Sequence, residues 1–336
     1  MDKVYILILN WNGWQDTIEC LESVFRNDYP NYQVIVCDNN SQDGSVSRIM
    51  AWAEGKQLAS VSTHEQIRVQ ASPPVAKPIA YKLYCRKDAE AGGEAADDSS
   101  RLIIIQTGHN LGFAGGNNVG LRYILKKNNF SHVWLLNNDT VIQSSALSRL
   151  MNRINEVDDA GMCGSTIPYY ERPDTIWSLG GAVYNQWLAR PYCIGLSQPI
   201  DRVYDRSLVE RKMRYIAGAS MLVSRAFLND VGLMSEDYFL YYEELDWALR
   251  ARDRFRLVYA QDSIVYHKVG ASTVKNGILQ DTGMTDYYML RNALLLTYKY
   301  FPLALPIVVP RAILLYVAKR IYNYLRTVIN YKRHST

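Results

Sequence analysis

An α/β fold with a mostly parallel sheet, covered by helices on both faces, is what this sequence predicts. Three observations carry that reading: apolar runs too short for helices, helical patterns between them, and polar residues where each run stops. "VYILILN" (4–10) reads as the first strand. "TIECLESVF" (17–25) follows as a helix with Ile18, Leu21 and Phe25 on one face and Asp16 as N-cap. "YQVIVCD" (32–38), "RLIIIQT" (101–107) and "HVWLLN" (132–137) are further strands, and "NNVGLRYILKK" is the helix between the last two. Strands apolar throughout, rather than alternating, belong to a sheet buried on both sides.

Residues 53–100 break the alternation with "ASPPVAKP" and "KDAEAGGEAADDSS". They read as an insertion between two strands, a loop excursion with a disordered tip. The expected organisation is therefore a ligand-binding half over 1–145, a second half over 146–285 richer in aromatics, and a basic helical tail over 286–336. No internal repeat is apparent.

Composition narrows the class. Apolar residues make up 48% and charged residues 21%, enough for a buried core in a chain of 336 residues. Five cysteines, an odd number without a CxxC pair, argue for free thiols in a reducing cytoplasm over a disulfide framework or zinc site. The N-terminal apolar run is too short for a signal peptide. The longest later run, "FPLALPIVVPRAILLYVA" (301–318), contains Pro302, Pro306, Pro310 and Arg311, which argue against a simple spanning helix. After Asp286 there are eight basic residues and no acidic one, so the tail carries +8 and the preceding 286 residues −4. Such a tail fits the inner surface of an anionic membrane in a peripheral protein. Nucleic acid is disfavoured because no recognition motif accompanies the charge, and a plain solvated helix is the alternative.

The strand ends carry the chemistry. The first ends in Asn10-Trp11-Asn12-Gly13, the second in Asp38-Asn39-Asn40-Ser41-Gln42-Asp43-Gly44, and the fourth in Asn137-Asn138-Asp139. The third is followed by "GHNLGFAGGNN", which includes Asn110, Gly112 and Asn117. One such end is turn chemistry; four on one edge of a parallel sheet form a crevice where ligands bind. Asp38 suits the ring N–H of a pyrimidine or a ribose hydroxyl, or else caps a turn. Gly112, Gly115 and Gly116 allow close approach of backbone to ligand, ahead of a helix N-terminus that favours phosphate. Neither GxGxxG after the first strand nor GxxxxGK[ST] occurs, which lowers the dinucleotide and P-loop readings. In "YYEELDWALRARDRF" (241–255), Glu243, Glu244 and Asp246 open a helix, where acids gain from the dipole. They also follow the aromatic run "DYFLYY", which can wall a pocket and raise a carboxylate's pKa toward that of a general base. His267 closes another strand-like run, "SIVYH".

In order along residues 3–300, "ILILNWNG", "VIVCDNNSQDGS", "NLGFAGGNNVGL", "WLLNNDT", "GASMLVSRAFLNDVGLMSEDYFLYYEELDWALRAR", "VYHKVGAST" and "YYMLRNALLL" resemble the inverting GT-A glycosyltransferases of family 2, the bacterial rhamnosyltransferase-like group. The resemblance implies a GT-A fold, a UDP- or dTDP-sugar donor, a divalent cation (Mg²⁺ or Mn²⁺) and a hydroxyl acceptor on a cell-surface or lipid-linked glycan. It assigns Asp139 and His267 to the metal, Glu244 as general base with Glu243 in reserve, and Asp38 to the pyrimidine. Asn10, Asn12, Asn39, Asp43, Asn110, Gly112, Asn117, Asn137, Asn138, Asp246 and Trp247 fall to substrate contact. Asn137 stands where the family's DxD motif has its first Asp, and a neutral amide is a poorer ligand for a hard cation. Two rival readings are a sugar nucleotidyltransferase, which lacks its Gly- and Arg-rich loop here, and a nucleotide-sugar- or glycan-binding protein without turnover.

Overall fold

The computed structural model describes residues 1–94, 100–269, 274–275, 278–279 and 283–334. The first half runs β1 (Val4–Asn10), α1 (Trp14–Val24), β2 (Tyr32–Asp38), α2 (Ser45–Ala53), α3 (Glu65–Ala71), β3 (Tyr81–Cys85), α4 (Arg86–Glu90), β4 (Leu102–Gln106), α5 (Gly112–Lys127) and β5 (His132–Asn137). Then come β6 (Thr140–Ile142), α6 (Ala146–Asn155), β7 (Ala160–Pro168), β8 (Ile176–Leu179), β9 (Gly181–Asn185), β10 (Arg190–Cys193), α7 (Arg206–Lys212), β11 (Tyr215–Ile216), β12 (Ser220–Ser224), α8 (Arg225–Val231), α9 (Glu243–Ala251) and β13 (Arg256–His267). Two helices follow, α10 (Gly283–Tyr300) and, after a short 3₁₀ turn, α11 (Leu305–His334).

The main sheet has the order β3-β4-β2-β1-β5-β12-β7-β13-β6, with β8 on β7. From β3 to β5 every pairing is parallel, and β12 is the antiparallel strand between β5 and β7. Alternate residues of one strand serve two cores. Ile6 and Ile8 face the layer holding Ile18, Trp52 and Leu150, while Tyr5 and Leu7 face the layer holding Val119, Ile124 and Trp247. That double burial is why these strands read as unbroken apolar runs. Register brings Asn10 beside Asp38, Asp38 beside Gln106, and Leu9 beside Asn137, so the polar ends share one edge. β13 runs along β7 and then along β6, which sets His267 opposite Thr140.

Several expectations are corrected. Asp16 does not cap α1: the N-cap is Gly13 without a side-chain bond, and Asp16 pairs with Lys268 at 2.6 Å. Residues 53–100 are more than a loop, since β3 extends the sheet as its edge strand and Lys77 reaches the buried Glu22 at 3.0 Å. The supposed tip, 95–99, and the "GAST" stretch, 270–273, lie outside the described residues. Helix α5 starts five residues earlier than the pattern suggested, taking in all three glycines. The tail prolines do not break α11: Pro306 sits in its first turn and Pro310 inside it. No described helix is long and apolar enough to cross a membrane. All five cysteines are unpaired.

Candidate active site

Side-chain amides knit the strand ends together. Asn10 Nδ2 donates to Asp38 Oδ1 at 2.7 Å and to Ser41 Oγ at 3.0 Å, and Thr17 Oγ1 donates to Asn10 Oδ1 at 2.7 Å. Asn138 Nδ2 donates to the same Thr17 hydroxyl at 3.0 Å, and Gln42 N donates to Asn12 Oδ1 at 2.7 Å. Asp38, further held by Ser41 N at 3.0 Å, lines a hollow of about 320 Å³ with Asn40, Ser41, Gly44 and Gln106. A carboxylate accepts at four lone-pair sites, so Asp38 retains capacity for a ligand N–H.

Several neighbours assigned to substrate spend their side-chain hydrogen bonds on the protein itself. Asn10 is fully buried and orients Asp38. Asn39 is buried and ties Asn110, Leu111 and Gly112 to β2. Asn117 is buried and donates to Phe113 O in its own helix. Asp43 turns back onto Ser45 N and Oγ at the start of α2. These four brace the crevice through those bonds. The first two N–H groups of α5 are likewise engaged within the protein: Asn110 Oδ1 accepts from Gly112 N at 3.0 Å and Phe239 O accepts from Phe113 N at 2.7 Å. Gly112, at φ +70°, permits that contact: a Cβ there would lie 2.0 Å from Phe239 O.

Beyond β5, Asp139 Oδ1 lies 3.2 Å from His267 Nε2, with the two side chains only 13% and 9% exposed. Lys268 N donates to Asp139 O at 2.9 Å, and Trp177 packs edge-on against the His267 ring at 4.9 Å. Asp139 Oδ1 and His267 Nδ1 are buried without a hydrogen-bond partner. An orphaned carboxylate oxygen beside an imidazole is a donor pair suited to Mg²⁺ or Mn²⁺. The described residues hold no group of three or more His, Cys, Asp or Glu that would complete a cation site alone. Asn137 is half-buried, and among the described residues no hydrogen bond engages its side chain.

The second carboxylate cluster rests on a strained turn. Tyr241 and Tyr242 both have positive φ, 71° and 76°, a conformation that costs non-glycine residues of order 1–3 kcal/mol each. α9 begins immediately after, and its first-turn acids are stabilised by the helix dipole. Glu243 is buried with Oε2 unpartnered. Glu244 is half-buried against Gly218, where a Cβ would fall 2.1 Å from its Oε1. Gly218 precedes Ala219, whose carbonyl accepts from Asn137 N at 3.1 Å, so the Glu244 carboxylate stands at the β5 edge. Burial raises the pKa of Glu244 to about 7. Burial, then the neighbouring Glu244 charge, raises that of Glu243 well above the ordinary carboxylate value.

Two residues assigned here to substrate are instead internal. Asp246 is fully buried and accepts from Arg250 Nε at 2.9 Å, Lys299 Nζ at 2.7 Å and Tyr300 OH at 2.7 Å. Trp247 is fully buried in the core and donates to Gly232 O. Sequence reasoning also missed Asn292, fully buried, whose Nδ2 donates to Leu240 O at 2.8 Å and Tyr241 O at 3.0 Å. Its only signal was an amide inside the otherwise apolar "RNALLL".

The sheet order and the edge it forms are those of a GT-A glycosyltransferase. The crystal structure of GalNAc-T7 with UDP, GalNAc and Mn²⁺ shares the fold at a TM-score of 0.53 and 12% identity, over 80% of this chain and 44% of that one. This chain belongs to the glycosyltransferase-like family 2, whose model matches residues 86–281; the glycosyl transferase family 2 model matches residues 5–70. Among curated relatives, the low-salt glycan biosynthesis hexosyltransferase Agl10 of Haloferax volcanii is 26% identical over 159 residues, 45% of this chain and 46% of Agl10. The dTDP-rhamnosyl transferase RfbF of Shigella flexneri is 25% identical over 219 residues, 62% of this chain and 68% of RfbF. The chain spans about half the length of the first curated relatives it matches.

Proposed function

We propose that this protein is an inverting glycosyltransferase that moves a hexose from a UDP- or dTDP-sugar to a hydroxyl of a cell-surface or lipid-linked glycan. The observation that carries the reading is the pairing of two sites on one sheet edge: Asp139 beside His267, and Glu244 with its pKa raised to about 7. Asp38 receives the pyrimidine N–H, and the free Asn137 amide faces ribose or phosphate. Asp139 and His267 would hold Mg²⁺ or Mn²⁺, and a bound cation supplies neutralisation of the diphosphate as the sugar–phosphate bond breaks. Glu244 takes the proton from the acceptor hydroxyl, whose oxygen bonds to the anomeric carbon. The phosphate oxygen departs with the bonding electrons, and attack from the opposite face inverts the centre. L-Rhamnose is the sugar tested first, on the likeness to RfbF.

The division into a donor half (1–145), an acceptor and base half (146–285) and a tail (286–336) belongs to this reading. So does peripheral attachment to the inner membrane face: Ile313, Leu314, Leu315, Tyr316 and Val317 of α11 are all exposed, between Arg311 and Arg320. An apolar turn uncovered on every side suits the headgroup region. A radiolabelled panel of UDP- and dTDP-sugars, with and without Mn²⁺, tests the function by sugar release. Nucleotide binding that is insensitive to EDTA, without any sugar release, favours a binding protein instead.

A further inference from the structure

A cleft of about 790 Å³ lies along the flank of α9 rather than over the crevice. Its floor is apolar: Met213, Leu245, Ala248, Leu249 and Phe301. Residues 245, 248, 249 and 252 make one helical face, a quarter turn from Glu244, so the cleft starts one residue from the base and runs about 10 Å away from it. Arg211, Arg214, Arg252 and Arg256 rim it. The one lining acid, Glu210, is committed to Arg153, accepting from Nη2 at 2.7 Å and Nε at 3.1 Å. Among the described residues Arg211 and Arg214 form no ion pair, and Arg252 and Arg256 have acids only at 3.6 and 4.0 Å. Arg211 and Arg214 therefore bring positive charge without a described acidic partner above an apolar trough, and guanidinium groups bind phosphate oxygens in bidentate fashion.

We infer that this cleft seats the phosphate-bearing hydrocarbon carrier of the acceptor, with the arginines on the phosphate and the chain on the Leu245–Leu249 floor. The inference rests on the glycosyltransferase reading and specifies its acceptor: a saccharide joined through phosphate to a lipid, its free hydroxyl directed to Glu244. Phe301, at the α10–α11 turn, lines the cleft and packs against Tyr184 at 5.8 Å, so the trough adjoins the helix whose apolar side chains are uncovered.

Farnesyl diphosphate, farnesol and inorganic pyrophosphate are the probes, titrated calorimetrically into the full-length protein in EDTA with saturating UDP, which suppresses capture at Asp139 and in the donor crevice. Farnesyl diphosphate is expected to bind at least tenfold tighter than either fragment, and Arg211→Glu with Arg214→Glu to weaken it at least tenfold; both positions are exposed, so the fold tolerates the change. Equal binding of pyrophosphate, unchanged affinity in the charge-reversed protein, or no binding to the native protein overturns the inference. Because the assay needs no turnover, such a failure leaves sugar transfer and its dependence on Glu244 to be judged separately.

Discussion

Glu244 and Glu243 sit at adjacent positions with different surroundings. Glu244 packs against residue 218, where a side chain would collide with its carboxylate, while Glu243 turns inward with an unpartnered oxygen. With its pKa raised to about 7, Glu244 is a base only once deprotonated, so kcat should rise with pH through that value and level off above it. The same burial governs stability. Each folded-state pKa is raised above the ordinary carboxylate value, so the benefit of a neutral side chain is complete at acid pH and is lost as pH climbs through the folded values. Glu243→Gln should therefore be more stable than the native protein near pH 8 in denaturant titrations, with the gain shrinking toward acid pH. Asp139→Asn removes the charged donor beside His267; calorimetry should show Mn²⁺-dependent UDP affinity falling by about 1–3 kcal/mol, with metal-free UDP binding unchanged.

At the scale of elements, α10 braces the turn that carries Glu243 and Glu244. Asn292 holds the left-handed turn that launches α9, and Lys299 and Tyr300 clasp Asp246 one turn further on. Asn292→Ala removes the donor from two partly buried carbonyls and should destabilise the protein by about 1–3 kcal/mol. As a positioning change it should lower kcat more than it raises donor KM, and move the pH midpoint of kcat downward as water reaches Glu244. A purely structural role would leave that midpoint fixed. These contacts were illegible in the sequence, because residues about fifty positions apart meet only through the fold and two consecutive positive-φ tyrosines carry no composition signal. The parallel strands were legible, since burial on both faces writes an unbroken apolar run. The start of α9 was legible too, since three acids crowd its first turn. Asp246 and Trp247 misled because a buried ion cluster and a core indole look, in one dimension, like the lining of a pocket.

For the molecule as a whole, the sheet edge gathers Asp38, Asp139 and Glu244, while α11 beyond Ala312 stands apart from the core. Beyond Ala312 the described side chains of α11 are exposed, apolar through Val317, and then joined by the exposed Arg320; the side chains of Lys319, Arg326, Lys332 and Arg333 lie outside the described residues. Ile313→Asp with Leu314→Asp should release the protein from vesicles containing phosphatidylserine in co-sedimentation, without changing its melting temperature. High salt should weaken the native interaction by screening the basic share of it. The charge imbalance was readable from the sequence. The long groove beside α9 was not, because α7, α9 and the α10–α11 turn assemble it from three distant stretches.

The most direct test of the central claim compares the native protein with Glu244→Gln, measuring sugar transfer and donor affinity on the same preparations. The account predicts turnover reduced about 10²- to 10⁴-fold with nucleotide-sugar binding and fold retained. Transfer at the native rate by Glu244→Gln would contradict it.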